Sequence, residues 1–244
     1  MRAMIFAAGM GTRLRPLTDR IPKALVPIQG KPLLLWQIEM LKNAGIDRIV
    51  INVHHKAEQI IQYLHANRNF GCDIRISDET DRLLDTGGGL RKALIQYPSD
   101  EPVLALNVDI LSTNILRELI AAYHGQPALL VVSHRKTQRY LAFDDAMHLK
   151  GWTNVTTGEI RPAGNNLKGA ELLAFSGMQI VSPDIITYMN QMAEDKFSLI
   201  DLYMHIVESG GDIQAFIPNN YRMMDVGKIE QLAEVEQWAE QWLM

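Results

Sequence analysis

Near its start the chain carries the stretch Ala3-Met4-Ile5-Phe6-Ala7-Ala8-Gly9-Met10-Gly11-Thr12-Arg13-Leu14. Its first six residues form a short apolar run that ends at a glycine, which is typical of a buried central strand of a parallel sheet. The two glycines that follow allow backbone N–H groups to approach an anion closely. The stretch therefore predicts a strand that carries a ligand-binding loop to one edge of a sheet.

As far as residue 135, apolar strands and amphipathic helices alternate at intervals of roughly 20 to 30 residues. This alternation predicts right-handed crossovers and a mostly parallel sheet with helices on both faces. The predicted strands are 3–8, 49–53, 74–76, 103–107 and 128–133, and the predicted helices are 33–44, 57–66, 89–97 and 114–123.

Beyond residue 135 the alternation weakens. The strands predicted there are 140–143 and 172–175, and the helices are 183–192, 199–208 and 229–243. Because no linker rich in serine or proline separates the two halves, we expect a single domain over residues 1–244.

The composition excludes several classes of protein. A chain of 244 residues with 47% hydrophobic and 21% charged residues is typical of a packed globular protein. The single cysteine, Cys72, cannot form an intramolecular disulfide, which favours a reducing, cytoplasmic location. The net charge of -4 argues against a nucleic-acid partner, and no apolar run reaches the roughly 20 residues that span a membrane.

The loop at residues 10–31 is positively charged within this acidic protein. Its five basic residues, at positions 13, 15, 20, 23 and 31, face one acid, Asp19. A positive loop at the edge of a sheet attracts a polyanion, although a surface loop with scattered arginines remains an alternative. Because Leu14 stands where the dinucleotide-binding motif has its third glycine, that motif is absent.

Two aspartates follow apolar strands. Asp109 comes directly after the strand at 103–107, and Asp225 follows the run at 221–224. Two such carboxylates can share one Mg²⁺ ion with phosphate oxygens, but the spacing leaves open whether they meet. The glycine triplet in 85–89 permits close approach of a ring or a phosphate, or makes a flexible turn.

Together these motifs resemble those of the sugar-1-phosphate nucleotidyltransferases. Residues 9–18 resemble G-x-G-T-R-[LM]-x-P-[LVM]-T, and residues 22–27 resemble P-K-x-[LM]-[VL]-P. Asn107-Val108-Asp109 and Met224-Asp225-Val226-Gly227 resemble the two metal motifs of that family, the second with methionine in place of tryptophan.

Within that family the chain is most similar to the N-acetylmuramate-1-phosphate uridylyltransferases. The similar segments are Asp85-Thr86-Gly87-Gly88-Gly89, Ser176-Gly177-Met178 and Phe197-Ser198-Leu199. The family's Glu-Lys-Pro motif for the sugar phosphate is missing, and residues 157–162 are only loosely similar to it.

The resemblance implies a Rossmann-like three-layer α/β/α sandwich with a mixed, mostly parallel central sheet, the nucleotide-diphospho-sugar transferase fold. It implies a nucleotide-binding half at 1–135 and a sugar-binding half with a C-terminal helix at 136–244. The implied reaction is Mg²⁺-dependent transfer of a nucleotidyl group from an NTP, UTP being expected, to a sugar 1-phosphate, with N-acetylmuramate 1-phosphate the expected acceptor. The implied partners are these two substrates, with no nucleic acid and no membrane, and a monomer or small homo-oligomer is expected.

Four alternatives remain open. The chain could be a mannose-1-phosphate guanylyltransferase, a glucose-1-phosphate nucleotidyltransferase, a phosphocholine cytidylyltransferase, or a non-catalytic nucleotide-sugar sensor on the same scaffold. The first three would differ in the pockets for the base and the acceptor. The sensor would not need to keep both carboxylates.

The resemblance also implies roles for individual residues. The implied catalytic residues are Arg13, Lys23 and Asp109. The implied nucleotide-binding residues are Ala8, Gly9, Gly11, Thr12, Arg13, Glu79, Gly87, Gly88 and Asn107. The implied sugar-phosphate-binding residues are Lys23, Arg139, Glu159 and Gly177, and the implied Mg²⁺ ligands are Asp109 and Asp225.

Overall fold

A computed structural model describes residues 1–243. The strands are β1 (Arg2–Phe6), β2 (Pro27–Ile28), β3 (Lys31–Pro32), β4 (Arg48–Val53), β5 (Asp73–Asp78), β6 (Val103–Asn107), β7 (Ile110–Ser112), β8 (Ala128–Ser133), β9 (Arg139–Phe143), β10 (Leu149–Asn154), β11 (Glu159–Arg161), β12 (Glu171–Val181), β13 (Ile213–Phe216) and β14 (Met223–Asp225). The α-helices are α1 (Leu33–Asn43), α2 (Ala57–Ala66), α3 (Asp85–Gln96), α4 (Leu116–Ala122), α5 (Ile186–Met189), α6 (Leu199–Glu208) and α7 (Leu232–Trp242).

The central sheet has the order β13–β8–β12–β6–β1–β4–β5. Neighbours β6, β1, β4 and β5 are parallel, as are β13 and β8. Strand β12 runs antiparallel to β6 on one side and to β8 on the other. The predicted mixed, mostly parallel sheet is confirmed.

Apolar residues on both faces of β1 explain why its sequence is continuously hydrophobic. Ala3 and Ile5 face a layer that contains residues of α1, α2, α4 and α7, whereas Met4 and Phe6 face one that contains residues of α3, α5 and α6. All four side chains are at most 7% exposed. A parallel strand between two helical layers buries side chains in both directions, which is the three-layer sandwich that the resemblance implied.

Strand β12 joins the central sheet to an antiparallel arm formed by β9, β10 and β11. Its first residues pair with β9, and its last residues pair with β6 and β8. The register shifts between Phe175 and Gln179, where Gly177 takes a φ of +69° that side chains rarely adopt. The bulge therefore lies where the arm meets the sheet.

Several predicted boundaries were wrong. Helix α3 begins at Asp85 rather than at residue 89, because all three glycines belong to its first turns. The helix predicted at 183–192 is a 3₁₀ turn (Pro183–Ile185) followed by the four residues of α5. The predicted strand 3–8 ends at Phe6. Strands β11, β13 and β14 were not predicted, because three or four residues are too few for a periodic signal.

The longest helix, α3, has 12 residues. Among residues 1–243, no helix combines the length and the apolar character needed to cross a membrane. The division into halves at residue 135 stays a prediction, and β8, β12 and β13 of the two halves lie in one sheet.

Candidate active site

The carboxyl ends of β1, β4 and β6 lie at one edge of the central sheet because the three strands are parallel neighbours. The backbone N–H of Val108 donates to the carbonyl of Phe6 at 3.2 Å, so the pairing of β1 and β6 continues past the strand ends. This register brings Asp109 to the loop that follows β1. Ligands of open α/β sheets bind at this edge.

The loop after β1 folds back on itself around Gly11. Gly11 has a φ of +63°, and a Cβ added to it would lie 2.9 Å from Cγ2 of Thr18 and 3.1 Å from Cβ of Lys23. The hydroxyl of Thr18 donates to the carbonyl of Gly11 at 2.8 Å. Only glycine therefore fits here, and the closed loop holds Lys23, which is 9% exposed, against the end of β6.

Lys23 and Asp109 form an ion pair between Nζ and Oδ2. Asp225 joins them because β14 pairs antiparallel with β7, and the N–H of Val226 donates to the carbonyl of Asp109 at 2.9 Å. Desolvation raises the pKa of Asp225, and the negative charge of Asp109 raises it further, whereas Lys23 and Arg13 act in the opposite direction. The fold thus places two mutually repelling carboxylates beside two cations.

This pair of carboxylates fits a divalent cation. Mg²⁺ is usually held through one or two carboxylates, with waters and substrate phosphates in its other positions. Within residues 1–243 there is no group of three or more histidine, cysteine, aspartate or glutamate side chains arranged for a metal. Asp109 and Asp225 would therefore share the ion with oxygens from water or from a substrate.

Arg13 reaches the same place from the loop after β1. A Cβ added to Gly227 would lie 2.9 Å from Oδ1 of Asp225 and 3.4 Å from Nη2 of Arg13. The absence of a side chain at position 227 leaves room for both groups. Because Arg13 is exposed, its guanidinium can meet a ligand beside the carboxylates.

A cavity of about 250 Å³ opens on the other side of the loop. It is lined by Phe6, Ala8, Gly9, Asn52, Glu79, Leu83, Asp85, Thr86 and Lys196. Its position between the loop after β1 and the first turn of α3 suits a nucleoside whose phosphates lie on that loop.

Glu79 anchors the wall of this cavity and is 1% exposed. Its Oε1 accepts a hydrogen bond from Nδ2 of Asn52 at 2.8 Å, and its Oε2 accepts one from the N–H of Leu84 at 3.0 Å. Oδ1 of Asn52 accepts from the N–H of Ala7 at 2.7 Å. These bonds connect the loop after β1 to the segment before α3, so the two walls hold one geometry.

Other parts of the protein fill the space beside Gly87 and Gly88 and accept hydrogen bonds from their N–H groups. Their N–H groups donate to the carbonyl of Phe197 at 2.9 and 3.1 Å. A Cβ at Gly87 would lie 2.4 Å from the Phe197 ring, and one at Gly88 would lie 2.2 Å from the carbonyl of Asp195. The glycines are required for this packing. Their role in nucleotide binding stays a prediction, since neither offers a free N–H here.

Besides Lys23, the residues implied for the sugar phosphate divide into two groups. Gly177 lies at the active edge, because a Cβ there would lie 2.7 Å from Nδ2 of Asn107. Arg139 and Glu159 lie in the arm, both in register with Asn154. Glu159 pairs with Arg161 at 2.7 Å, and neither Arg139 nor Glu159 bonds to Asp109 or Asp225 within the described part of the chain. Their roles stay predictions.

Sequence reasoning missed three residues of this edge. Thr18 closes the loop after β1, Asn52 ties that loop to Glu79, and Arg135 follows β8. A polar residue inside the apolar strand at 49–53 was the available signal for Asn52. The basic segment directly after β8 was the signal for Arg135.

The chain is similar to several sugar-1-phosphate nucleotidyltransferases. An N-acetylmuramate alpha-1-phosphate uridylyltransferase of Neisseria meningitidis is 36% identical over 76% of this chain and 77% of its own length. A UTP–glucose-1-phosphate uridylyltransferase of Synechocystis is 29% identical over 94% of this chain, which spans 61% of that relative's length.

Among solved structures, a putative glucose-1-phosphate thymidylyltransferase of Bacillus anthracis superposes with a TM-score of 0.81 over 98% of this chain and 95% of its own. At 15% identity it shows a shared fold. The family model described as nucleotidyl transferase matches residues 2–241. The chain therefore belongs to the nucleotidyl transferase family.

Proposed function

We propose that the chain transfers a uridylyl group from UTP to N-acetylmuramate 1-phosphate in a Mg²⁺-dependent reaction that releases pyrophosphate. The observation that carries this proposal is the meeting of Lys23, Asp109 and Asp225 at the carboxyl edge of the sheet, next to the Gly11 loop. Cations and metal-binding carboxylates at one point suit a reaction between two phosphate groups.

The reaction is an in-line attack of a sugar-phosphate oxygen on the α-phosphorus, with pyrophosphate as the leaving group. Because the phosphate nucleophile is already ionised at neutral pH, no general base is required. Catalysis then depends on positioning and on neutralising charge. A divalent cation held by Asp109 and Asp225 would offset the repulsion between the two anions.

The side chains of the site divide this work. The loop at Gly9, Gly11 and Thr12 would hold the triphosphate through backbone N–H groups. Arg13, exposed beside Gly227, would bind the departing phosphates with its planar fork. Lys23 lies next to the carboxylates, where it would meet the negative charge that builds at the α-phosphate.

The relatives support the choice of substrates. The Neisseria relative is named for this reaction, and its similarity to this chain covers 76% of the chain. The Synechocystis relative also carries the name of a uridylyl transfer, to a different sugar phosphate. Both names support UTP as the nucleotide donor, and the name of the Neisseria relative also supports N-acetylmuramate 1-phosphate as the acceptor.

The test follows pyrophosphate release by the purified chain with Mg²⁺, crossing UTP, GTP, CTP and dTTP with a panel of sugar 1-phosphates. The panel contains N-acetylmuramate, N-acetylglucosamine, glucose and mannose 1-phosphates. We expect the highest kcat/KM with UTP and N-acetylmuramate 1-phosphate, and loss of release in EDTA. Preference for GTP with mannose 1-phosphate would replace the proposal by a guanylyl transfer. Silence across the panel, with retained NTP binding, would overturn it in favour of a nucleotide sensor.

A further inference from the structure

A second cavity, of about 460 Å³, opens at the end of β8. Its walls come from the segments that follow β8 and β13, from the segment before β14 and from α7. Ser133 and Arg135 lie on one wall, and Tyr221 lies on another. The volume is within the range of about 300 to 1,000 Å³ that is usual for small-ligand pockets.

The cavity is positively charged. Arg135, Arg222 and His134 line it, and its lining contains no aspartate or glutamate. The segment 134–139, which leaves β8, holds three lysine or arginine residues and no acid. A concave site with cations of one sign attracts an anion.

Arg135 is the cation best placed to bind that anion. One of its N–H groups donates to the carbonyl of Phe175 at 3.0 Å, next to the Gly177 bulge. The same side chain lines the cavity, so the guanidinium lies where the cavity meets the bulge. An arginine has five N–H donors, which leaves four for a ligand.

The other two basic side chains have partners already. Arg222 stacks on Trp242, with its Cζ 4.0 Å from the ring centroid. His134 lies 3.6 Å from the carboxylate of Glu171. Ser133 also lines the cavity, and its hydroxyl is buried and makes no hydrogen bond within residues 1–243.

Resting on the proposed nucleotidyl transfer, we infer that this cavity is a subsite for a carboxylate on the acceptor sugar, and that Arg135 selects acceptors that carry one. The 1-phosphate of the acceptor belongs at Asp109 and Asp225, where the reaction takes place. A second anion on the same molecule would extend from there past Gly177 to Arg135. A carboxylate matches the planar guanidinium with two parallel hydrogen bonds, which a sugar hydroxyl cannot do.

The experiment compares two acceptors that differ in one group. N-acetylmuramate 1-phosphate carries a lactyl ether with a carboxylate, and N-acetylglucosamine 1-phosphate lacks that ether. The readout is the ratio of kcat/KM for the two acceptors with UTP and Mg²⁺. For Arg135→Gln we expect this ratio to fall by at least about tenfold, mainly through KM, because glutamine cannot form the two charge-assisted hydrogen bonds of a guanidinium with a carboxylate. Arg135→Lys keeps the positive charge but loses the planar pair of donors, so its ratio should lie between those of the wild type and Arg135→Gln.

Lys136→Gln is the matched control. It removes the neighbouring exposed cation, which does not line the cavity, and the ratio should stay within about twofold of the wild-type value. Thermal midpoints of all variants test that each one folds.

The outcomes separate the subsite from the reaction. Equal losses for both acceptors in Arg135→Gln would mean that Arg135 serves the shared phosphate, and the subsite would be overturned. An unchanged ratio, or a wild type that prefers the neutral acceptor, would also overturn the subsite while nucleotidyl transfer stands. Failure to release pyrophosphate with any acceptor would overturn the proposed function and the subsite with it.

Discussion

The loops after β1 and after β8 leave the same edge of the sheet, but the first folds onto the protein and the second stands out from it. In the first, Thr18 is bonded to Gly11, and Lys23 is paired with Asp109. In the second, the three residues 134–136 are exposed. A loop closed by the protein suits a group that every substrate shares, such as a triphosphate, whereas an open one suits a group that varies between acceptors.

The largest effect is expected from removing Asp109, the carboxylate that pairs with Lys23 of the loop after β1. We expect Asp109→Ala to lower kcat by at least about 100-fold, the scale of losing one preorganised electrostatic group. It removes one metal ligand and leaves Lys23, which is 9% exposed, without its ion pair. The measurement is pyrophosphate release at saturating substrates. Asp100→Ala, in an exposed bend before β6, is the control, and an active Asp109→Ala enzyme would remove Asp109 from catalysis.

The next test breaks the closure of the loop itself. Gly11 and Gly30 both have positive φ, but a Cβ meets Thr18 at 2.9 Å at Gly11, whereas it meets no atom within 4 Å at Gly30. Alanine at either position costs roughly 1 to 2 kcal/mol for the backbone conformation. Only Gly11→Ala adds overpacking, so it should be less stable than Gly30→Ala by about 2 kcal/mol. Urea unfolding of the two variants measures the difference, and equal stabilities would show that the loop yields to the added methyl.

How far the sequence predicts this site depends on whether one motif contains all the partners. The strand at 3–8 and the loop after it lie in one segment, so the sequence predicts that Arg13 and Lys23 lie in a positive loop at the edge of the sheet. That Asp225 meets Asp109 does not follow, because the contact depends on the antiparallel pairing of β14 with β7, two strands of three residues each. Such short strands carry no periodic pattern.

The sequence shows where a glycine lies but not which group occupies the space that a side chain would take there. The glycines of 87–88 permit close approach, and the space beside their Cα atoms holds Phe197 and Asp195 from a segment far along the chain, while their role in nucleotide binding stays a prediction. Gly177 likewise lies in a bulge next to Asn107, and its role in binding the sugar phosphate stays a prediction. Close backbone approach is a local property, whereas the identity of the approaching group is decided by tertiary packing.

A smaller effect is expected when the positive charge at position 13 in the loop after β1 is kept and only the geometry of the side chain changes. Arg13→Lys should lower kcat/KM for the NTP by roughly tenfold, because an ammonium cannot make the two parallel hydrogen bonds of a guanidinium. Arg15→Lys is the matched control, since Arg15 is exposed on the same loop and pairs with Asp19 at 3.2 Å. Equal kinetics for Arg13→Lys and the wild type would remove Arg13 from the phosphate site.

The smallest expected effect is on thermal stability. It separates the destabilising repulsion between Asp109 and Asp225 from the contribution of Asp225 to activity. The pKa of Asp225 is raised in the folded protein by desolvation and by Asp109, so the folded state keeps a proton that the unfolded chain has already released. Stability from this group therefore falls as the pH rises through the interval between its unfolded pKa, about 3.9, and its higher folded pKa. In EDTA at pH 7, Asp225→Asn should thus raise the thermal midpoint by about 2 °C or less, since solvent reaches one side of the carboxylate and screens the repulsion. At pH 3 the gain should vanish, because Asp225 is then protonated in both states.

The activity of Asp225→Asn should be lost at every pH. Asp100→Asn should leave the midpoint unchanged, and a lower midpoint for Asp225→Asn at pH 7 would mean that Lys23 and Arg13 more than offset the repulsion between the two aspartates.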